Sequence, residues 1–345
     1  VNAAMTGKGL LELTYPAPAI THCFLANIKA YYYLKSEHQV NDLISSLRKL
    51  QAMTVSGDLS AEVEKELQER MTYLTKATNI QYWLNVVSIA GFAILPFVTM
   101  GMSYAETGKI ELMMPFVLLL PFDVFNKFIY PFLYLLDMFA ATMIVFMVLG
   151  PDSLFYACGT FIQIQFRYLR YDLERVIARN PTILRLQQQI AVCIKRHKDL
   201  IRCVSLMEHI YAKSTLFNVV SSSMLICLTG FNLTASPSKI LMMPFLGFVF
   251  LVSGQIYLFC YFGDNIMRSS LAISDGVYNC QWYYADKKVK KDLLFILLRA
   301  QKPCKLTAYG FSDINLSTFC RILSSAWSYF ALLSTVNRTN VATTT

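Results

Sequence analysis

The sequence predicts an all-α, polytopic helical membrane protein, and three observations carry that reading. The chain of 345 residues is 55% hydrophobic and only 15% charged, where a soluble domain carries about a quarter charged residues. Its mean hydropathy is +0.43. Apolar stretches of about 20 residues, the length needed to cross a bilayer core of about 30 Å, recur along it.

Six spans follow, at 16–34, 82–104, 128–149, 214–231, 240–262 and 316–336. A shorter apolar stretch, 112–122, is interrupted by Pro115 and Pro121 and predicts a loop or hairpin at the membrane surface, because non-helical backbone cannot face lipid.

Basic residues orient the spans. The stretches 35–80, 165–213 and 263–310 hold 6, 10 and 8 Lys or Arg, whereas 1–15, 105–127, 232–239 and 337–345 hold 1, 2, 1 and 1. Lys29 and Arg321 stay inside spans. The positive-inside rule places the first set in the cytoplasm and the C-terminus outside. Two glycosylation sequons, Asn232-Leu-Thr and Asn337-Arg-Thr, fall on the predicted outer side.

The basic stretches are not featureless. Helical periodicity runs from Asp152 to Lys213 with a break at Asn180-Pro181, and Leu186, Ile190, Ile194, Ile201 and Val204 form one apolar stripe. Two membrane helices therefore continue as a cytoplasmic hairpin. A third amphipathic piece carries Val289, Leu293, Ile296, Leu297 and Ala300 on one face. Such stripes serve packing within the subunit or contact with neighbouring subunits. The acidic stretch 57–70 reads as a solvated helix face or a loop. The chain thus divides into 1–149 (outer start and membrane helices with a ligand pocket), 150–213 (hairpin), 214–262 (membrane helices), 263–310 (cytoplasmic anchor helix region) and 311–345 (last span and outer C-terminus).

The nine cysteines show no CxxC or Cys/His metal spacing and none lies in an expected outer loop, which predicts free thiols and no metal. Residues 1–15 carry no signal-peptide pattern. Phosphate loops, HExxH and GxSxG motifs are absent from the sequence, so no enzyme activity, cofactor or nucleic-acid partner is expected.

Two passages near the C-terminus then become specific. The first is Gln281-Trp-Tyr, with Lys287 to Lys291, Leu293-Leu-Phe-Ile-Leu-Leu-Arg-Ala-Gln-Lys-Pro303 and Leu306-Thr-Ala308. The second is Leu316-Ser-Thr-Phe-Cys-Arg-Ile-Leu323 with Ser328-Tyr-Phe-Ala-Leu-Leu333. Weaker echoes are Gln255 with Tyr261-Phe-Gly263, His197, and Asp152-Ser-Leu-Phe155. Together they resemble the insect odorant receptor family from about residue 80 onward. The related gustatory receptors end in a motif with Gln-Phe that Ser328-Tyr-Phe-Ala-Leu-Leu-Ser-Thr lacks.

The resemblance implies seven spans, so the family's first helix is expected before Val1, with 1–15 as the first outer loop. It implies a multi-pass plasma-membrane protein of olfactory sensory neurons. There it acts in sensory transduction as the odour-tuned subunit of a ligand-gated cation channel, assembled with the odorant receptor co-receptor in a heterotetramer surrounded by membrane lipid. The co-receptor's longer second cytoplasmic loop is missing here.

A small volatile ligand needs a buried apolar cavity. Ser88, Gly91 and Leu95, three and four apart, share a helical face and are similar to the family's small-small-large pocket pattern. His22, Phe92, Tyr134, Met138, Phe248 and Leu251 are further lining candidates. Asp137, an acid inside an apolar span, is a functional candidate because burying its charge is costly. Leu332 and Val336, on one face of the last span, align with the family's hydrophobic pore gate, which stops ions by dewetting. Rival readings are a G-protein-coupled chemoreceptor, a gustatory receptor or a small-molecule transporter. The first requires the opposite orientation, and the transporter requires inverted repeats.

Overall fold

The computed structural model describes residues 16–54, 61–109, 112–116, 124–126, 128–180, 182–235 and 239–344. Side chains at 54, 61–62, 234–235, 239–241, 243–244 and 336–344 lie outside that description. The helices are α1 (Ala17–Lys35), α2 (Glu37–Thr54), α3 (Ala61–Thr107), α4 (Tyr130–Arg179), α5 (Ile183–Ala235), α6 (Lys239–Asn279), α7 (Lys287–Ala300) and α8 (Leu316–Thr344), with a short 3₁₀ turn at Trp282–Tyr284. Each of the six expected spans overlaps one of them to within two residues.

The helices overrun the spans because the apolar runs continue into amphipathic sequence, in α4 even through Pro151 inside the helix. α4 has 50 residues and α5 has 53, about 75–80 Å each at 1.5 Å per residue. α4 starts with a proline in its first turn, where a missing N–H costs nothing. It stops at Asn180, whose side-chain amide donates to the Val176 carbonyl at 2.7 Å, just before the Pro181 that cannot continue a helix. The hairpin break is where the sequence puts it. α7 starts at Asp286, whose carboxylate accepts from the backbone N–H of Lys288 at 2.6 Å and of Val289 at 3.3 Å.

By length and composition four helices can cross a membrane, over Val63–Thr107, Tyr130–Arg179, Ile183–Leu233 and Phe245–Asn279 among the described residues. α1 and α8 fall short of that measure, α1 with polar Thr21, His22, Asn27 and Lys29 in its length. Their assignment as spans rests on the apolar stretches 16–34 and 316–336 read from the sequence.

α6 is the central helix, touching α3, α4, α5, α7 and α8. The odd-numbered and even-numbered crossings place the starts of α1, α4 and α6 at one end of the bundle with the finish of α3. The other end carries most of the Lys and Arg and is called the basic end below. The largest core lies there. Tyr156, Ile162, Phe166, Leu169, Leu173, Ile190 and Leu200 are fully buried in it.

One expectation about the basic end is corrected and two stretches gain detail. The stretch 37–54 is the packed helix α2, which buries Val40, Leu43, Leu47 and Leu50. Residues 61–70 form the first turns of α3, with Glu64 and Glu69 on the expected solvated face while Val63 and Leu67 pack against Ile164 and Tyr171. In the α5 stripe Leu186, Ile190 and Val204 are buried but Ile194 is 38% exposed, its place taken by Cys193, Arg196 and His197. In α7, Val289, Leu293, Ile296 and Ala300 are buried within the chain and Leu297 packs at the margin. It is the opposite face, Leu294, Phe295 and Leu298, that stands exposed.

The connection between α7 and α8 folds into a tight turn. Ala308 N–H donates to the Ser312 carbonyl and Ile314 N–H to the Leu306 carbonyl, both at 2.8 Å, with Tyr309 and Gly310 at positive φ. Leu306, Ala308 and Ile314 are buried by it, so this part of the C-terminal motif is a packing signature. The nine cysteines are free thiols, seven of them buried; burial pushes the Cys304 thiol up.

Candidate functional site

At the end remote from the basic residues, α1, α3, α4 and α6 enclose a cavity of about 290 Å³. Each helix contributes one face. α3 supplies Asn85, Ser88, Ile89 and Phe92, and α4 supplies Asp137, Ala140, Ala141, Ile144 and Val145, both at the spacings that stack side chains on one side of a helix. α1 adds Ala19, His22 and Cys23, and α6 adds Phe245, Phe248 and Leu251; Pro115 and Phe116 of the α3–α4 connection close the top. Small residues at 19, 88, 140 and 141 leave the space, because no side chain there is long enough to fill it.

Aromatic rings form the walls. Phe92 lies 5.3 Å from Phe116, 6.1 Å from Phe245 and 6.3 Å from Phe248 between ring centroids. His22 meets Phe248 edge-on at 5.4 Å. Beneath the cavity, Leu225, Leu251 and Val252 pack with Phe248 into a small apolar floor. Polar groups are few: Asn85 donates to the Gln81 carbonyl at 2.7 Å, and Asp137 Oδ2 accepts from the Phe116 N–H at 3.3 Å. The site can hold a small apolar molecule with few polar contacts.

Of the residues picked from sequence, His22, Ser88, Phe92, Phe248 and Leu251 meet in this wall, and so does Asp137. Gly91, Leu95, Tyr134 and Met138 do not line it. Gly91 and Met138 are each one residue, about 100°, round their helices from Phe92 and Asp137. Leu95 is buried a turn further on. Tyr134 turns toward α3, where its hydroxyl donates to the Ala93 carbonyl and its ring rests 5.2 Å from Phe97. The helical spacing that selects Ser88 and Phe92 also selects Asn85 and Ile89, and the Ala140-Ala141 pair a turn after Asp137 marks room. Those two signals were available in the sequence.

Two turns of α1 below His22, about 10 Å along the helix, Lys29 is buried with its ammonium 2.8 and 2.9 Å from the two oxygens of Asp152. Gln255 of α6 donates to the same carboxylate at 2.6 Å, and the Phe259 ring lies 5.0 Å from the ammonium. This triad ties α1, α4 and α6 together under the cavity. Sequence reading left Lys29 as a stray charge inside a span; its partner lies 123 residues away.

The last span is held at its start, where Arg321 donates to the Thr318 hydroxyl at 2.8 Å and the Ser312 hydroxyl at 3.0 Å. Further along, Leu332 is 62% exposed in the single chain, while the side chains of Val336 and Asn337 lie outside the described residues. Asn232 is 1% exposed within α5; folded in this way it offers no room for a glycan, so the sequon at 232 is set aside. No group of metal-binding side chains occurs among the described residues.

Known proteins are similar to this chain in sequence and in fold. The profile of the 7tm odorant receptor family matches residues 11–327. Odorant receptor 67c of Drosophila melanogaster is 25% identical over 332 residues, which is 94% of this chain and 80% of that protein. Odorant receptor 13a of the same fly is 25% identical over 298 residues, 79% of this chain and 68% of that protein. The structure of the insect olfactory receptor OR5 from Machilis hrabei superposes with a TM-score of 0.79 and 13% identity, covering 95% of this chain and 82% of that one. The same receptor in complex with eugenol gives a TM-score of 0.71 and 15% identity, covering 94% and 87%. At such identities the structural likeness speaks for the fold.

Proposed function

Because this chain belongs to the 7tm odorant receptor family, we propose that it is the odour-tuned subunit of a heteromeric odour-gated cation channel, with its ligand in the cavity between α1, α3, α4 and α6. The chain is a multi-pass membrane protein by its family and its apolar helices. The observation that carries the proposal is the cavity itself. It is apolar, lined by four helices, and about 290 Å³, near the lower end of small-molecule sites. A family relative in complex with eugenol makes a small volatile compound the natural occupant.

Orientation and assembly complete the reading. The excess of Lys and Arg at one end, 24 against 5, puts that end in the cytoplasm, the cavity toward the outside and the C-terminus beyond the plasma membrane. A common co-receptor is the expected partner in a tetramer. The exposed Leu294, Phe295 and Leu298 of α7, with Tyr283 and Tyr284 beside them, form an apolar surface of the kind that marks protein contacts. α8 is the pore helix, with Leu332 and Val336 at a hydrophobic gate.

The test is electrical. Cells carrying this chain with the co-receptor should pass cation current in response to some members of an odour panel, and cells with the co-receptor alone should not. Leu332→Ser should add a current without odour, because a polar ring wets a closed pore. A tag after Thr345 should be stained on intact cells. Surface-expressed chains that give no odour-dependent current with any panel member would remove the proposal.

A further inference from the structure

The cavity wall contains a histidine with an unpaired ring nitrogen. His22 is 7% exposed and lines the cavity, yet its Nδ1 has no hydrogen-bond partner among the described residues. Buried polar atoms in proteins are nearly always paired, and each one left unpaired is costly in an apolar setting. Asp137, the acid in the wall, already receives the Phe116 N–H. Around His22 the surface is hydrocarbon: Phe248 stands edge-on to the imidazole at 5.4 Å, and Phe245, Phe92 and Leu251 continue the wall.

We propose that the cavity selects a small, mainly hydrocarbon ligand bearing one hydroxyl group, an alcohol or a phenol, with the His22 imidazole as the hydrogen-bond partner of that hydroxyl. This rests on the cavity being the odour site and names the chemistry of its occupant. An imidazole nitrogen either gives or receives a proton depending on its tautomer, and a hydroxyl does both, so the match holds for either tautomer. A carboxylate is excluded, since no Lys or Arg lines the cavity and Asp137 would repel it. A pure hydrocarbon would fill the space and leave the imidazole unpaired.

The sign of one comparison decides the matter. In a purely apolar cavity, replacing a ligand hydroxyl by a methyl group should improve binding, because the hydroxyl loses its water and gains nothing. With His22 as partner the order is reversed. The full chain with the co-receptor would be tested with para-ethylphenol against para-ethyltoluene and hexanol against heptane. Free aqueous concentrations are compared, and each pair is read as agonism or as competition with any active odour.

The hydroxyl member should act at about tenfold lower concentration, the size of one hydrogen bond to an otherwise unpaired buried group. In His22→Phe, which keeps a ring beside Phe248, the methyl member should become the stronger of each pair. A wild-type preference for the methyl members, or a hydroxyl preference that survives His22→Phe, overturns the inference while leaving the cavity as the odour site. If no pair member, and no other odour, acts on surface-expressed channels, the odour-site reading itself fails.

Discussion

The two ends of this bundle use apolar residues in opposite ways. In α3 only 17% of the most apolar stretch is buried within the chain, and in α4 22%; the corresponding figure for α6 is 56%. At the cavity end, side chains such as Ile94, Phe97, Phe132, Leu135 and Phe139 face outward, where lipid is the solvent. The inner faces there meet around an empty space. At the basic end the sequence is less apolar, yet Phe155, Tyr156, Ile162, Phe166 and Leu200 are shut off completely. Its polar groups are tied across helices, as Arg196 is to Asp172 at 2.5 Å and Thr307 to Glu208 at 2.6 Å. The cavity end has room to change its contents; the basic end has not. That division suits a receptor whose site varies on a frame that does not.

The largest expected effect lies at the seam between the two. Asp152→Leu leaves the Lys29 ammonium and the Gln255 amide buried without an acceptor. Breaking a buried pair from one side costs about 3–5 kcal/mol, so purified chain in detergent should melt far below wild type and little should reach the cell surface. Adding Lys29→Met should restore most of the loss, because removing both charges also removes the unpaired one. A wild-type melt for the single variant would mean that the seam is as loose as the cavity above it.

A second difference concerns close approach. A Cβ on Gly263 would sit 2.3 Å from the Ile314 carbonyl oxygen, whereas at Gly150 and Gly247 it would meet nothing within 4 Å. Gly263→Ala should therefore cost about 1–3 kcal/mol through forced backbone displacement. Gly247→Ala, at the cavity end of α6, should be neutral or slightly stabilising, since alanine favours helix by about 0.5–1 kcal/mol over glycine. Equal melts for the two variants would dissolve the contrast in packing.

The cavity end should answer with function before stability. Ser88→Phe places a ring in the open space and should shift the half-maximal odour concentration by about tenfold, the equivalent of 1.4 kcal/mol, with little change in melting. Gly91→Phe, turned about 100° from Phe92 and outside the wall, should leave that curve in place. If Gly91→Phe shifts the response and Ser88→Phe does not, the wall has been assigned to the wrong face of α3.

How much of this was legible in the sequence depends on whether a feature is periodic or a meeting of distant residues. The break at Asn180-Pro181 and the inward face of α7 are written in runs and spacings, and they stand where expected, as do the helices that carry the six stretches, four of them apolar enough to cross a membrane. Ser88 followed from spacing and residue size, and His22 and Phe92 from residue type within a span. Gly91 and Leu95 did not enter the wall, because a three-and-four pattern defines a broad stripe and the neighbour decides which edge of it faces the cavity. α2 went unread because its few apolar residues, Val40, Leu43, Leu47 and Leu50, stand among polar ones in a stretch defined by its charge. The Lys29–Asp152 pair and the Gly263–Ile314 contact join residues far apart in the chain, which no local pattern encodes. A lysine alone in a span is still a signal, since an unpaired charge there is costly; it announces a partner without naming it.

The smallest effect is expected from an ion pair of the same chemistry as Lys29–Asp152 in a different medium. Glu66 of α3 lies 3.0 Å from Arg70 and 2.7 Å from Arg167 of α4, and Arg70 also reaches Gln163 at 3.1 Å. By geometry this network rivals the seam. It is much wetter: Glu66 is 33% exposed, against 2% for the Asp152 side chain. Water and salt therefore screen it, and exposed pairs are worth about 0.2–1 kcal/mol. Glu66→Gln keeps the shape and one acceptor oxygen, so its melting loss should correspond to about 1 kcal/mol or less and should shrink further in high salt. Asp152→Leu should show no such salt dependence, since ions cannot reach its site. A loss from Glu66→Gln as large as that from Asp152→Leu, and unaffected by salt, would show that the basic end shields its charges as fully as the seam does. The two ends would then differ in cavity volume alone.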